Sequence, residues 1–130
     1  MTRCCLKAWR AALLVAMALA CVPSSTEAAP DTKPYDDKLN RLAEILGAVH
    51  YLRELCSADD GQKWREHMRQ LLDAEGATAL RKARLARSFN QGYRSYSRTY
   101  TTCTPLAQTQ IERFLAEGVE LSEGLAKRAP

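Results

Sequence analysis

Asp36–Cys56, DDKLNRLAEILGAVHYLRELC, is the stretch that decides the fold class. At 100° per residue, Leu39, Leu42, Ile45, Leu46, Val49, Leu52 and Cys56 fall on one side of a helix, and no alternating pattern competes with that reading. A single apolar stripe must be covered, so the rest of the chain has to provide partners for it. Ser57-Ala58-Asp59-Asp60-Gly61 reads as a turn, after which Trp64, Met68, Leu71 and Leu72 mark a shorter second helix that ends before Gly76. A third helix, roughly residues 78 to 102, carries Leu85, Phe89, Tyr93, Tyr96 and Tyr100 along one flank and leads to Cys103. Thr104-Pro105 supplies an N-cap and a first-turn proline for a fourth helix to about Ala126, with Ile111, Phe114, Leu115, Gly118, Leu121 and Leu125 inward. Short connections favour antiparallel neighbours, so the expected fold is all-α: an antiparallel four-helix up-down bundle.

Upstream of this domain the chain reads as an export signal over residues 1–28, followed by a flexible leader over 29–35 and the helical domain over 36–130. Arg3, Lys7 and Arg10 precede the apolar run Ala11–Val22, and small residues lead to cleavage after Ala28. That run is too short to span a bilayer, which takes about 20 apolar residues. The periplasm is the expected location. A minor alternative treats Ala18-Leu19-Ala20-Cys21 as a lipoprotein signal, with the chain anchored through Cys21.

Removing residues 1–28 takes three basic residues and Glu27 away, so the formal charge falls from +4 to +2. Cys4, Cys5 and Cys21 go with them, leaving Cys56 and Cys103. Two cysteines in an exported domain point to one disulfide, and both stand at helix ends that an up-down bundle brings to the same pole.

The residues His50-Tyr51-Leu52-Arg53-Glu54-Leu55-Cys56, Trp64-Arg65-x-x-Met68, Phe89-Asn90-x-Gly92-Tyr93-Arg94 and Tyr100-x-x-Cys103-Thr104 together resemble an alphaproteobacterial family of small exported proteins classified as a domain of unknown function. The resemblance spans about residues 36 to 125. It implies a single periplasmic domain and brings no activity, cofactor or catalytic residue.

Enzyme signatures are missing from the sequence: no phosphate-binding glycine loop, no His-x-x-x-His, no Cys-x-x-Cys and no Gly-x-Ser-x-Gly. No cofactor or metal is expected, and His50 and His67 read as boundary or surface histidines. Arg53 and Glu75 fall on apolar faces and need partners, Glu75 with Arg81 or Arg84 across the Gly76 turn; Arg53 could instead bind an anionic group near the disulfide. The tyrosine stripe reads as helix packing, with Gly92 admitting a close neighbour.

The other side of the third helix is unusual. Arg84, Arg87, Gln91, Arg94 and Arg98 follow at 3, 4, 3 and 4 residues, a ridge about 20 Å long that no acid interrupts. The fourth helix instead carries Glu112, Glu117, Glu120 and Glu123. Arginine forks suit carboxylates and phosphates. The expectation is therefore a non-enzymatic module that binds an anionic envelope partner through Arg84, Arg87, Arg94 and Arg98: an acidic protein, an anionic lipid headgroup or a glycan, with self-association possible and nucleic acid not expected. The alternative is a small-ligand carrier or enzyme with an inter-helical pocket, using Arg53, Tyr93 or Tyr100 as polar anchors. A filled core with a flat basic face favours the first, and a concave pocket with converging polar groups the second.

Overall fold

The computed structural model describes residues 31–128; the expected signal segment and most of the leader lie outside them. Four helices follow in order: α1 (Asp36–Leu55), α2 (Lys63–Glu75), α3 (Ala79–Thr99) and α4 (Pro105–Ala126), with no strand among the described residues. The third helix ends earlier than its sequence pattern suggests, so Cys103 stands in the loop before α4. Threonines begin both later helices. Thr78 accepts a hydrogen bond from the Arg81 backbone N–H, and Thr104 accepts one from Ala107 with Pro105 in the first turn. The α1–α2 turn is closed by Ser57 and Gly61 in the left-handed region, with φ of 58° and 52°.

Helix α1 is the hub. It touches α2, α3 and α4, whereas no Cα of α4 comes within 8 Å of a Cα in α2 or α3. This departs from a bundle in which each helix leans on the next. The cause is a backbone-to-backbone crossing of α1 and α3 at two glycines. A Cβ added to Gly47 would lie 1.9 Å from the Phe89 carbonyl oxygen, and one added to Gly92 would lie 2.0 Å from that of Glu44. Only hydrogen fits at these points, and the approach brings Cα–H groups against carbonyls. Between α3 and α4 the contact is carried by long side chains, with Tyr96 edge-on to Phe114 at 5.0 Å.

Two apolar clusters share α1. One gathers Ile45, Ala48, Val49 and Leu52 with Ala107, Ile111 and Phe114; the other gathers Leu39 and Ala43 with Met68 and Leu85. Cys56 and Cys103 are joined by a disulfide with Cα atoms 4.9 Å apart, tying the end of α1 to the start of α4. At the opposite ends Arg81, buried, donates to the Glu75 carbonyl at 2.6 Å and pairs with Asp36 at 2.6 Å. The Glu75 carboxylate, on the apolar face of α2, is reached across the Gly76 turn by Arg81 at 3.5 Å and accepts from the Tyr35 hydroxyl, which comes from the chain before α1.

Candidate functional site

The basic face of α3 stands out because every other arginine of α1–α3 is engaged. Arg41 is bidentate to Glu117, Arg53 pairs with Asp60, Arg69 with Glu66 and Asp73, and Arg81 with Asp36 and Glu75. Arg65 donates to His50, and Arg84, half-buried, donates to the Asp31 carbonyl at 3.1 Å. Arg87, Arg94 and Arg98 are exposed and have no ion pair or side-chain hydrogen bond among the described residues. They line one shallow concavity with Asn90, Gln91 and Ser95. Arg84 thus stands apart from the other three members of the sequence ridge, because the chain before α1 reaches its guanidinium.

Arg53 occupies a different setting from an open anion site. Its guanidinium holds Asp60 at 2.9 Å, and the Trp64 indole donates to the same carboxylate at 2.8 Å. Together these push the Asp60 carboxyl far below the usual carboxylate range, first through the Arg53 hydrogen bond and then through Trp64. The cluster locks the α1–α2 turn and fixes the Trp64 ring.

That ring closes one end of an apolar groove between α2 and α4. Leu42, Ile45, Leu46 and Val49 of α1 form its floor, Trp64 and Leu71 stand on the α2 side, and Phe114, Leu115 and Gly118 on the α4 side. Its volume is about 420 Å³, within the range of small-ligand sites. The groove exists because α2 and α4 both rest on α1 without meeting each other. Tyr93 and Tyr100, considered as polar anchors for a pocket, are packed elsewhere. Tyr93 lies edge-on to Tyr51 at 5.4 Å, and Tyr100 stacks on Tyr96 and accepts the Tyr51 hydroxyl at its carbonyl.

His50 corrects the sequence expectation of a boundary histidine: it is 1% exposed. Because α1 has neighbours on three sides, its buried arc extends beyond the leucine stripe, and His50 packs between Tyr93 and Phe89. Its Nε2 accepts from Arg65 Nε at 2.9 Å, which makes it the unprotonated nitrogen, while Nδ1 is buried without a hydrogen-bond partner among the described residues. Burial pushes its pKa below the ordinary value, Glu54 opposes this, and Arg65 adds to it. The folded state therefore resists a proton that the unfolded chain takes up at the ordinary histidine pKa of about 6.5. Stability is fully present above that value and is lost as pH falls towards the depressed folded value. Thermal melts at several values between pH 7.5 and 5.5 should show a falling midpoint, with a flatter profile for His50→Gln. An equal slope in both proteins would remove His50 as the cause.

The family model described as "Protein of unknown function (DUF2385)" matches residues 34–129, which include all four helices. No curated protein and no solved structure matches the chain.

Proposed function

We propose, from the premise that this chain belongs to that family of unknown function, that it is an exported, non-enzymatic interaction module. Its partner is anionic and is held by Arg87, Arg94 and Arg98 on the outer face of α3. The observation that carries this reading is selective neutralisation: among the arginines of α1–α3, these three have no ion pair with any of the described residues, and they share one concavity with amide and hydroxyl groups. Arg84 contributes at the edge of the face, and Arg53 serves the α1–α2 turn. An acidic protein surface, an anionic lipid headgroup or a polyanionic glycan would present the carboxylates or phosphates that such forks recognise.

Export is supported by the charged-then-apolar start of the chain and by the pairing of Cys56 with Cys103, a bond that persists in oxidising compartments. The alternating direction of the helices is supported by Arg53 meeting Asp60, Tyr35 meeting Glu75 and Arg41 meeting Glu117.

The test is capture from an envelope extract at low and high salt, using the wild-type chain and the double variant Arg87→Glu, Arg94→Glu. Exposed charges act within about 8 Å at physiological ionic strength, so wild-type capture should fall steeply with salt. The double variant should lose capture while its melting behaviour stays near that of the wild type, as surface substitutions usually lie within about 0.5 kcal/mol. Unchanged capture by the folded variant would reduce the ridge to a solvated face.

A further inference from the structure

The apolar groove between α2 and α4 is separate from the arginine face, and no residue of α3 lines it. We propose that it binds the hydrocarbon chain of a free fatty acid, with the carboxylate at the Trp64 end.

The first ground is the position of the groove on α1. Leu42, Leu46 and Val49 lie along the centre of the α1 apolar stripe, yet Leu42 and Leu46 are only half-buried because α2 and α4 leave this line open. Ile45 and Val49, which also line the groove, are fully buried, as are Leu39 and Leu52 towards the two ends of the helix. Two mid-helix leucines of the apolar stripe are thus left partly accessible, and covering them is worth about 25 cal/mol per Å² of apolar surface.

The second ground is the chemistry of the walls. No Asp, Glu, Lys or Arg lines the groove, although such residues make up 26% of the chain. Polar groups on the walls are largely occupied within the protein: the Trp64 indole N–H donates to Asp60, and the Ser122 hydroxyl donates to the Val119 carbonyl. A lining that asks for almost no hydrogen bonds suits an occupant that offers none, which describes an alkyl chain and excludes a sugar or a nucleotide.

The third ground is charge at one end. Beyond Val49 the same line of α1 reaches Arg53, whose charge is balanced by Asp60. Lys63 stands beside it: its ammonium sits 5.3 Å from the Trp64 ring centre, acts on the Asp60 carboxylate from a distance and has no ion pair among the described residues. The His67 ring lies 5.7 Å from the same indole. A carboxylate leaving the groove at Trp64 meets Lys63 and His67, whereas an ammonium would be repelled.

Gly118 makes the idea testable. A Cβ placed there would lie 3.6 Å from Ile45 and 3.9 Å from Leu42, which is ordinary contact, so alanine fits and a longer side chain must enter the groove. The experiment uses the full chain with Trp9→Phe, leaving Trp64 as the sole indole. Fluorescence of Trp64 is followed as decanoate, decanol or decylamine is added below its micelle concentration, and again with a brominated fatty acid as contact quencher. Saturable binding is expected, strongest for decanoate and weakest for decylamine. Lys63→Glu should reverse that order, and Gly118→Leu should weaken decanoate about tenfold or more while Gly118→Ala binds as before. Helix content by circular dichroism checks that each variant is folded. Lack of saturation, indifference to the head group, or full affinity in a folded Gly118→Leu would each overturn the assignment. Arg87→Glu should leave the titration unchanged, so failure here and failure of the arginine reading are separable.

Discussion

Gly92→Ala is expected to pry α1 and α3 apart and to destabilise the domain by at least ~3 kcal/mol, although alanine is the better helix former. The added methyl would stand 2.0 Å from the Glu44 carbonyl oxygen and 3.0 Å from the Ala48 nitrogen. These are backbone atoms of the hub helix, so no side-chain rotation relieves the overlap. Gly47→Ala meets the mirror-image obstacle at Phe89 and should cost a similar amount. Combining the two should cost less than their sum, because the first substitution already separates the helices at the shared contact. Gly124 is the internal control. Nothing lies within 4 Å of a Cβ placed there, so Gly124→Ala should leave stability unchanged or raise it by up to ~1 kcal/mol. Urea denaturation of the three single variants tests the ranking. If Gly92→Ala unfolds at the wild-type midpoint, the α1–α3 crossing is looser than described.

Replacing Cys56 and Cys103 by serine is expected to remove about 4 kcal/mol, the chain-entropy value for a loop closed over a sequence separation of 47. That is a large share of the stability available to so short a domain. The bond joins the C-terminal end of α1 to the entrance of α4, and α4 touches neither α2 nor α3 through its backbone. Without it, α4 retains only its packing on α1, the Tyr96–Phe114 contact and the Arg41–Glu117 pair. Hydrogen exchange in the serine variant should therefore accelerate first in α4, while the α1–α3 pair keeps its protection longest. In the native protein, intact mass should lie about 2 Da below the reduced value, one bridge's worth of hydrogen. Uniform loss of protection in the serine variant would argue that the four helices form one cooperative unit.

Much of the fold was legible because it is written in local patterns. The spacing of Leu39, Leu42, Ile45, Leu46 and Val49 marks α1, and Thr104-Pro105 opens α4 where the N-cap hydrogen bond is found. The unpaired state of Arg87, Arg94 and Arg98 agrees with their lying on a face without acids. Less legible were residues whose surroundings depend on several helices at once. His50 sits at the margin of the leucine stripe and is buried because α3 covers that margin. Arg81 reads as a partner for Glu75 and is one, yet its burial and its second pair with Asp36 arise only where α1, α2 and α3 converge. Arg53 looked available for a ligand, and a turn residue seven positions later takes it.

By itself, then, the sequence determined four helices, the threonine cap that opens α4 and the two cysteines that could meet, since 3.6-residue periodicity, capping and chain ends are properties of neighbouring residues. Tertiary structure alone decided that α1 is the hub, that α3 crosses it at Gly47 and Gly92, and that Leu42 and Leu46 are left lining a groove between α2 and α4. Periodicity says which face of a helix is apolar but not which neighbour covers it. Here α3 took the face of Ala48 and Gly47, because two backbones can close to direct contact only where side chains are smallest, while Leu42 and Leu46 stayed half-buried between α2 and α4.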